Sequence, residues 1–223
     1  MNGSCEDSIT KPDTPVQTPE ACVAFVNRVK LCVWREQARF PFLPSLEAVT
    51  PWRGFDLTMQ TWFWKDDLHN TRQLYFGMLL KGDVPLFASL EMLPFLIAAQ
   101  GDNDARMLYE QGQLSHAALR VYEHVERNGP TATNALPWPA RTSRMANLAV
   151  LQRHFLLTKH DLTGRTRGTY GYRWDVCENA FPEAFRAAAA ITVEAAREKI
   201  VAHLQTSEAT VTPGEVAHAL RWI

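Results

Sequence analysis

The sequence has little cysteine and no long apolar segment, and both features exclude classes of protein. Its 223 residues contain four cysteines, none with the spacing of a zinc ligand set or a redox pair: Cys5, Cys22, Cys32 and Cys177. No run of about 18 apolar residues occurs, and the N-terminus lacks the charged-then-apolar order of a signal peptide. We expect no disulfide framework, no metal site and no membrane span, and we predict a cytoplasmic protein.

Known sequence motifs for cofactor binding and metal-dependent catalysis are also absent. The chain has no phosphate-binding loop, dinucleotide fingerprint or metalloprotease motif, so no cofactor is expected. Its formal net charge of -1 argues against a general nucleic-acid coat protein but allows a local basic surface. With 46% hydrophobic residues, the chain can bury a proper core as one large or two small domains.

The centre of the chain predicts two helices in succession. Ser115 can cap a helix whose apolar residues recur at helical spacing and which Gly129-Pro130 ends. A second helix can start near Thr142 or Ser143. It turns Arg141, Arg144 and Asn147 away from a predicted buried stripe that consists of Met145, Leu148, Leu151 and Phe155.

A two-stranded hairpin is predicted directly after these helices. Residues 155–161 can run as a strand, residues 163–168 can turn, and residues 170–176 can return with alternating apolar side chains. Helix, turn, helix and hairpin in this order indicate a winged helix, in which the second helix is the recognition helix.

Basic charge is concentrated in this part of the sequence. From Arg141 to Arg173 there are seven Lys or Arg residues and one acid, Asp161. A winged helix would present such residues to a phosphate backbone, so duplex DNA is the predicted partner. The predicted DNA contacts are Arg141, Arg144, Asn147, Lys159, Arg165 and Arg167.

A cluster of rings and charges at residues 62–69 allows two interpretations. In the functional one, Trp62 or Trp64 stacks on a base or another flat ligand, while Lys65 and Asp66 or Asp67 supply nucleophilic or acid/base chemistry. In the structural one, the rings alternate on a half-buried strand, Lys65 extends to solvent, and the next helix begins at Asp66 or Asp67.

The remaining segments are mainly helical by their sequence. Residues 1–18 are predicted to be a disordered tail, and residues 73–80 a helix with Leu74, Met78 and Leu79 in the core. Glu91 interrupts an apolar run, where a carboxylate either faces solvent, makes a structural hydrogen bond or serves a purpose.

The predicted fold is mainly α with small β wings, an α+β chain of tandem winged-helix or helix-turn-helix modules. Its predicted divisions are a tail at 1–18, an N-terminal winged-helix-like module at 19–110, a central winged helix at 111–180 and an incomplete third helix-turn-helix at 181–223.

Several short motifs resemble those of the AlkZ-type (YcaQ-type) winged-helix DNA glycosylases, and more closely the short AlkZ-related proteins. The similarity extends over most of residues 21–223. Its strongest elements are Leu46-Glu47-Ala48-Val49, Trp64-Lys65-Asp66 with Leu68, Tyr75-Gly77-Leu79-Leu80, Ser89-Leu90-Glu91-Leu93-Pro94, Gly129-Pro130, Tyr172-Trp174-Asp175-Val176 and Phe181-Pro182. The resemblance implies tandem winged helices, DNA as partner and, in the full-length enzymes, release of alkylated or crosslinked bases.

One departure from that family concerns its catalytic motif. The glycosylases carry Gln-x-Gln or Gln-x-Asp soon after the first helix, whereas the corresponding residues 31–35 here are Leu-Cys-Val-Trp-Arg. Glu36 and Gln37 follow closely, but such a shift redirects a side chain. We therefore expect a monomeric DNA-binding protein without the family chemistry. Two alternatives stay open: a glycosylase with relocated catalytic residues, drawn from Lys65, Asp66, Glu91 and Glu36, and a winged-helix scaffold that binds a protein partner.

Overall fold

The computed structural model describes residues 15–51, 55–101, 103–205 and 211–222, and for residues 55–61 the backbone alone. Across these ranges the chain is a mixed α+β fold with two three-stranded antiparallel sheets. The predicted fold class is confirmed. None of the helices in the described ranges is both long and apolar enough to cross a membrane.

The first half of the chain forms a winged-helix-like module. Thr18 caps α1 through the backbone N–H of Ala21, and Pro19 occupies the first helical turn, where its missing N–H costs nothing. The sheet order is β1-β3-β2, so the third strand lies between the other two. The elements are α1 (Pro19–Val29), β1 (Leu31–Val33), α2 (Leu46–Val49), α3 (Phe55–Asn70), β2 (Tyr75–Leu80) and β3 (Val84–Ala88).

A second module at residues 93–176 has a similar order of elements, with one helix instead of two between its first two strands. Ser115 caps α6 as predicted, and Gly129 ends it with a positive φ of 74°. The second sheet has the order β4-β6-β5, which is the order of the first sheet. The elements are α4 (Leu93–Gln100), α5 (Ala105–Glu110), α6 (His116–Asn128), β4 (Thr131–Ala132), α7 (Arg144–Arg153), β5 (Leu157–Gly164) and β6 (Gly171–Val176).

Four helices follow the second sheet in the described part of the chain. They are α8 (Cys177–Ala180), α9 (Pro182–Ala188), α10 (Val193–Gln205) and α11 (Pro213–Leu220). Thr212 and Glu215 form a capping box at the start of α11. Ala196, Ile200 and Val216 from these helices share a core with one face of the first sheet. Leu74, Phe76 and Phe87 belong to a second core on its other side, so the sheet is buried on both faces.

Burial on both faces explains why the helix predicted for residues 73–80 is wrong. The segment is strand β2, and five of its six residues are buried. Tyr75 belongs to one core and Phe76 to the other, so no polar alternation marks the strand. A continuous apolar run of this length does not distinguish a strand from a buried helix.

The strand considered for Trp62 to Trp64 is also wrong. Both residues lie in α3, a helix of 16 residues. Trp64 is 5% exposed and belongs to the first module's core, whereas Trp62 is 42% exposed. Aromatic residues favour strands, but here tertiary packing on two sides of one helix overrides that preference.

Two smaller predictions also change. Met145 was expected in the buried stripe of α7 but is 59% exposed, whereas Leu148, Leu151 and Phe155 are buried. Most of the predicted tail, residues 1–14, lies outside the described residues. Val16, near its end, is buried and donates its N–H to the Val49 carbonyl oxygen at 2.8 Å.

The buried side chain of His69 joins the two modules. Its Nδ1 accepts the backbone N–H of Phe76 at 2.9 Å, so Nε2 carries the proton and donates to the Lys159 carbonyl oxygen at 3.0 Å. Thr158 Oγ1 lies 3.0 Å from the same Nε2. Complete burial lowers the pKa of His69 well below its usual value, and the neighbouring charges of Lys159 and Arg72 act in the same direction.

We therefore predict that acid destabilises the fold through His69. An unfolded histidine takes up its proton near pH 6.5, whereas the folded one does so only at a lower pH. The free energy of unfolding should fall as pH decreases below about 6.5, by up to about 1.4 kcal/mol per unit from this residue. Urea unfolding from pH 8 to pH 5 measures it. His69→Gln should be less stable at pH 8 but have a shallower pH dependence, and the exposed His116→Gln should follow the parent. Parallel curves for parent and His69→Gln would refute the assignment.

Candidate functional site

A pocket of about 570 Å³ lies where the two modules meet, and we call it the aromatic pocket. Helix α3 and strands β2 and β3 supply one side, and α7 with strands β5 and β6 supplies the other. Its lining is dominated by rings and apolar side chains and contains two lysines. The lining residues are Trp34, Arg35, Gln37, Trp62, Lys65, Phe76, Met78, Val84, Pro85, Thr133, Met145, Leu148, Lys159, Tyr170, Gly171, Tyr172 and Trp174.

The exposure of these residues separates a floor from a rim. Trp34, Trp174, Lys65 and Lys159 are all buried and form the floor. Arg35, Trp62 and Met145 are exposed and form part of the rim. The Trp62 ring meets Trp34 edge-on, with 6.0 Å between the ring centroids. The pocket is therefore an open cleft with a buried, ring-lined base.

A fully buried carboxylate lies beside the pocket. Asp66 Oδ2 accepts from Lys65 Nζ at 2.6 Å and from the Tyr170 hydroxyl at 2.6 Å, and Oδ1 accepts from the Tyr172 hydroxyl at 3.1 Å. The helix α3 of one module is thereby bonded to strand β6 and the preceding turn of the other. Burial raises the pKa of both tyrosines, and their hydrogen bonds to Asp66 act in the same direction.

The two lysines of the pocket have different surroundings. Lys65 Nζ contacts Asp66, donates to the Tyr170 hydroxyl at 2.7 Å and lies 4.2 Å from the Trp62 ring centroid. Burial lowers the pKa of Lys65, and the charge of Asp66 opposes that shift. This ammonium is consequently held in an ion pair.

Lys159 has no such partner within the described ranges. Its Nζ lies 4.5 Å from the ring centroids of Phe76 and Tyr172, and it makes no hydrogen bond or ion pair with a described residue. Burial lowers the pKa of Lys159 to about 7, against the attraction of Asp66 and with the repulsion of Lys65. A large fraction of this amine is therefore neutral near physiological pH.

The four catalytic candidates from the sequence lie in different places. Lys65 and Asp66 belong to the aromatic pocket or contact its lining. Glu91 is on the surface, 71% exposed, with Lys30 Nζ at 2.5 Å from its Oε2, and this hydrogen bond lowers its pKa. Glu36 is exposed and does not line the pocket. The structure thus brings together two of the four.

The stretch that the sequence predicts to correspond to the glycosylase motif reaches the same pocket. Residues 31–33 are strand β1, and the next two residues, Trp34 and Arg35, line the pocket. Neither offers a carboxylate or amide side chain. The amide of Gln37 also lines the pocket, and its Nε2 donates to the Arg35 carbonyl oxygen at 3.2 Å.

Three of the predicted DNA contacts are accessible. Arg141, Arg144 and Arg167 are exposed and form no ion pair with the described part of the chain. Arg144 starts α7 and lines a shallow concavity of about 300 Å³ with residues of the β5–β6 hairpin. This concavity shares Tyr170 and Tyr172 with the aromatic pocket, so the basic surface and the pocket are adjacent.

The other three predicted contacts have different environments. The Asn147 amide donates to the Ser143 carbonyl oxygen at 2.7 Å and its Oδ1 accepts from Ser115 at 2.5 Å, so both ends are occupied. Arg165 is exposed but pairs with Asp67 through both terminal nitrogens. Lys159 is in the pocket floor. The sequence placed these residues in the correct segment, but it could not reveal which side chains were already bonded.

Sequence reasoning missed the tyrosine hydroxyls and the pocket role of Lys159. Tyr170 and Tyr172 were recognised as strand residues, yet Tyr170 meets Lys65 across 105 residues of chain. No local spacing encodes such a contact. The described residues contain no group of three or more His, Cys, Asp or Glu side chains that could hold a metal ion.

Comparison with known proteins gives one match. A family model described as AlkZ related matches residues 16–221. No curated protein and no solved structure matches the chain.

The different positions of Trp62 and Trp64 give a stability test. Trp64→Ala should cost about 3 to 5 kcal/mol of unfolding free energy, because it removes a large buried ring. Trp62→Ala should cost only about 1 kcal/mol, since the ring is partly exposed and loses its contacts with Lys65 and the edge of Trp34. Denaturant unfolding of both variants measures this difference, and equal losses would contradict the assignment of Trp62 to the pocket rim.

Proposed function

The chain belongs to the AlkZ-related family, and from that premise we propose that it is a DNA-binding protein that receives an extruded flat base in the aromatic pocket. Helix α7 and the β5–β6 hairpin would contact the duplex. The observation that carries the proposal is the position of the pocket, which adjoins the concavity between Arg144 and the hairpin. We further propose that it acts as a monomer in the cytoplasm.

The accessible arginines support contact with phosphates. Arg144 lies at the start of α7, Arg141 just before it and Arg167 in the hairpin turn. A guanidinium that forms no ion pair with a carboxylate of its own chain can bind a phosphate oxygen without first breaking such a pair. Because the Asn147 amide is already occupied, the support is for backbone binding rather than for base-specific readout.

The lining of the pocket supports an aromatic guest. Its volume of about 570 Å³ is in the usual range of ligand sites. Enzymes that act on a base take it out of the stack and hold it between aromatic or apolar side chains. Trp34, Trp62 and Tyr172 line one cleft. Base–ring stacking typically contributes about 1 to 3 kcal/mol per base, and it tolerates different bases.

A prediction for DNA binding follows from the arginines. Affinity for duplex DNA should fall steeply with salt, because bound phosphates release counterions. The double variant Arg144→Ala, Arg167→Ala should reduce the slope of log K against log[salt] by up to about 1.8 units, at about 0.9 for each lost phosphate contact. Fluorescence anisotropy from 20 to 200 mM salt measures this slope.

Two controls sharpen that measurement. Arg186→Ala removes an equally exposed guanidinium from α9, where it pairs with Glu183, and should leave the slope unchanged. Arg165→Ala should have a smaller effect than either target, because Asp67 already neutralises that side chain. Absence of duplex binding at low salt would refute the proposal and favour a scaffold that binds a protein partner.

The second prediction concerns base release. Glycosidic hydrolysis requires an oriented water and stabilisation of developing positive charge, and Trp34 and Arg35 supply neither from the motif stretch. General acid/base placement typically contributes about 10² to 10⁴-fold. We expect no base release from duplexes with alkylated purines or interstrand crosslinks, in conditions under which a full-length glycosylase turns over. Base excision followed by alkaline strand cleavage is the assay.

If base release does occur, four variants identify the residue responsible. Gln37→Ala removes the amide that lines the pocket, and Glu36→Gln changes the exposed neighbour as its control. Lys65→Ala and Asp66→Asn test the buried pair. Robust release by the parent chain would refute the non-catalytic proposal, and the variant that abolished it would identify the group responsible.

A further inference from the structure

We propose that Lys159 is a nucleophilic amine that forms an imine with the aldehyde of an abasic deoxyribose in DNA. The inference rests on the proposed function, because the lesion must be presented by bound DNA. It adds a covalent step and a substrate class to that function. The step uses the second lysine of the aromatic pocket and is independent of the motif that this chain lacks.

Geometry distinguishes Lys159 from Lys65. Lys65 Nζ has Asp66 and Tyr170 within 2.7 Å, so it is a protonated ammonium in an ion pair. An ammonium has no lone pair with which to attack a carbonyl. Lys159 Nζ has only the faces of Phe76 and Tyr172 as near partners in the described ranges. Both of those rings line the aromatic pocket, so the amine is in the cleft and available to a guest.

The surroundings also favour the neutral form that attacks carbonyls. A lysine that is desolvated next to another cation becomes a nucleophile at neutral pH, and Lys159 is buried with Lys65 nearby. Its backbone is fixed as well, because the Lys159 carbonyl oxygen accepts from His69 Nε2 at 3.0 Å. The side chain therefore starts from a rigid strand in the pocket floor.

An abasic sugar fits this amine chemically. The sugar has no base, so extrusion costs less unstacking than for an intact nucleotide. Its ring-opened form carries an aldehyde at C1′, which can enter the cleft while the flanking phosphates stay near Arg144 at the adjoining concavity. An intact nucleotide has no aldehyde, so the step selects the lesion by its chemistry.

The step is balanced without an oxidant or reductant. The Lys159 lone pair attacks C1′, the C=O π electrons move to oxygen, and a proton passes from nitrogen to that oxygen to give a carbinolamine. The nitrogen lone pair then expels the hydroxyl group, which leaves as water with the remaining N–H proton, and the C=N bond forms. The resulting imine is reversible by hydrolysis. Asp66 and its bonded tyrosine hydroxyls are near-lying groups through which a proton could be relayed.

Borohydride trapping tests the proposal with the full chain. The protein is incubated with a labelled duplex that contains one abasic site and with sodium cyanoborohydride, and the covalent complex is resolved on a denaturing gel. Peptide mapping by mass spectrometry should locate the reduced adduct at Lys159. Lys159→Met and Lys159→Arg should both lose it, whereas the exposed-lysine variant Lys81→Met should keep it.

Two further arms keep the result interpretable. A duplex with a tetrahydrofuran site, which has no aldehyde, should bind with similar affinity and give no adduct. Benzaldehyde with the same reductant should label Lys159 of the parent chain faster than the exposed Lys81 and Lys199, and this arm needs no variant to fold. The benzaldehyde arm shows whether Lys159 is reactive by itself or reacts only when bound DNA places an aldehyde beside it.

The failures of the two proposals are distinguishable. If neither duplex binds at low salt, the proposed function is refuted and the imine step with it. If both duplexes bind but no adduct is trapped, or the adduct maps to Lys65 or a surface lysine, DNA binding stands and the assignment to Lys159 is overturned. Preferential benzaldehyde labelling of Lys81 or Lys199 would overturn it as well.

Discussion

The buried carboxylate of Asp66 is the interaction on which the relation between the two modules depends. It accepts from Lys65 on its own helix and from Tyr170 and Tyr172 of the other module. A carboxylate removed from water is expensive unless its oxygens are bonded, so both modules must supply donors for either to be stable in this arrangement. His69, one turn further along α3, adds a second bond across the same boundary. The C-terminal part of α3 is therefore shared between the two modules.

This boundary also creates the pocket and sets its chemistry. Helix α3 is hydrogen-bonded to strand β6 at Asp66, and the cleft beside this contact is lined by rings from both modules. The ammonium of Lys65 lies in an ion pair, whereas the amine of Lys159 lies over two rings, so the two buried lysines have different electrostatic surroundings. Burial alone lowers the pKa of both, but only Lys65 has a carboxylate in contact to offset the shift. Two similar residues thus acquire different chemical character from one packing arrangement.

The sequence predicted the elements that are marked by local chemistry. The cap at Ser115 and the alternating hairpin were found, because a cap or a half-buried strand leaves a short-range pattern. Strand β2 was missed, since a sheet between two cores has no polar face. For the site, Lys65 and Asp66 were found as a cluster of neighbours in the chain. Their partners Tyr170 and Tyr172 lie 104 to 107 positions away, which no periodicity can indicate.

The position of Trp34 relates this pocket to the departure from the glycosylase motif. In the resembled enzymes, a polar side chain soon after the first helix orients water; here the strand β1 leads to a tryptophan in the pocket floor. An indole cannot act as a base, yet it supplies a large face, stacked with Phe87 at 6.1 Å and edge-on to Trp62. A ring at this position would favour a flat or apolar guest over a hydrogen-bonded water. Under the proposed function, binding of an extruded base and hydrolysis would depend on different atoms of the same cleft.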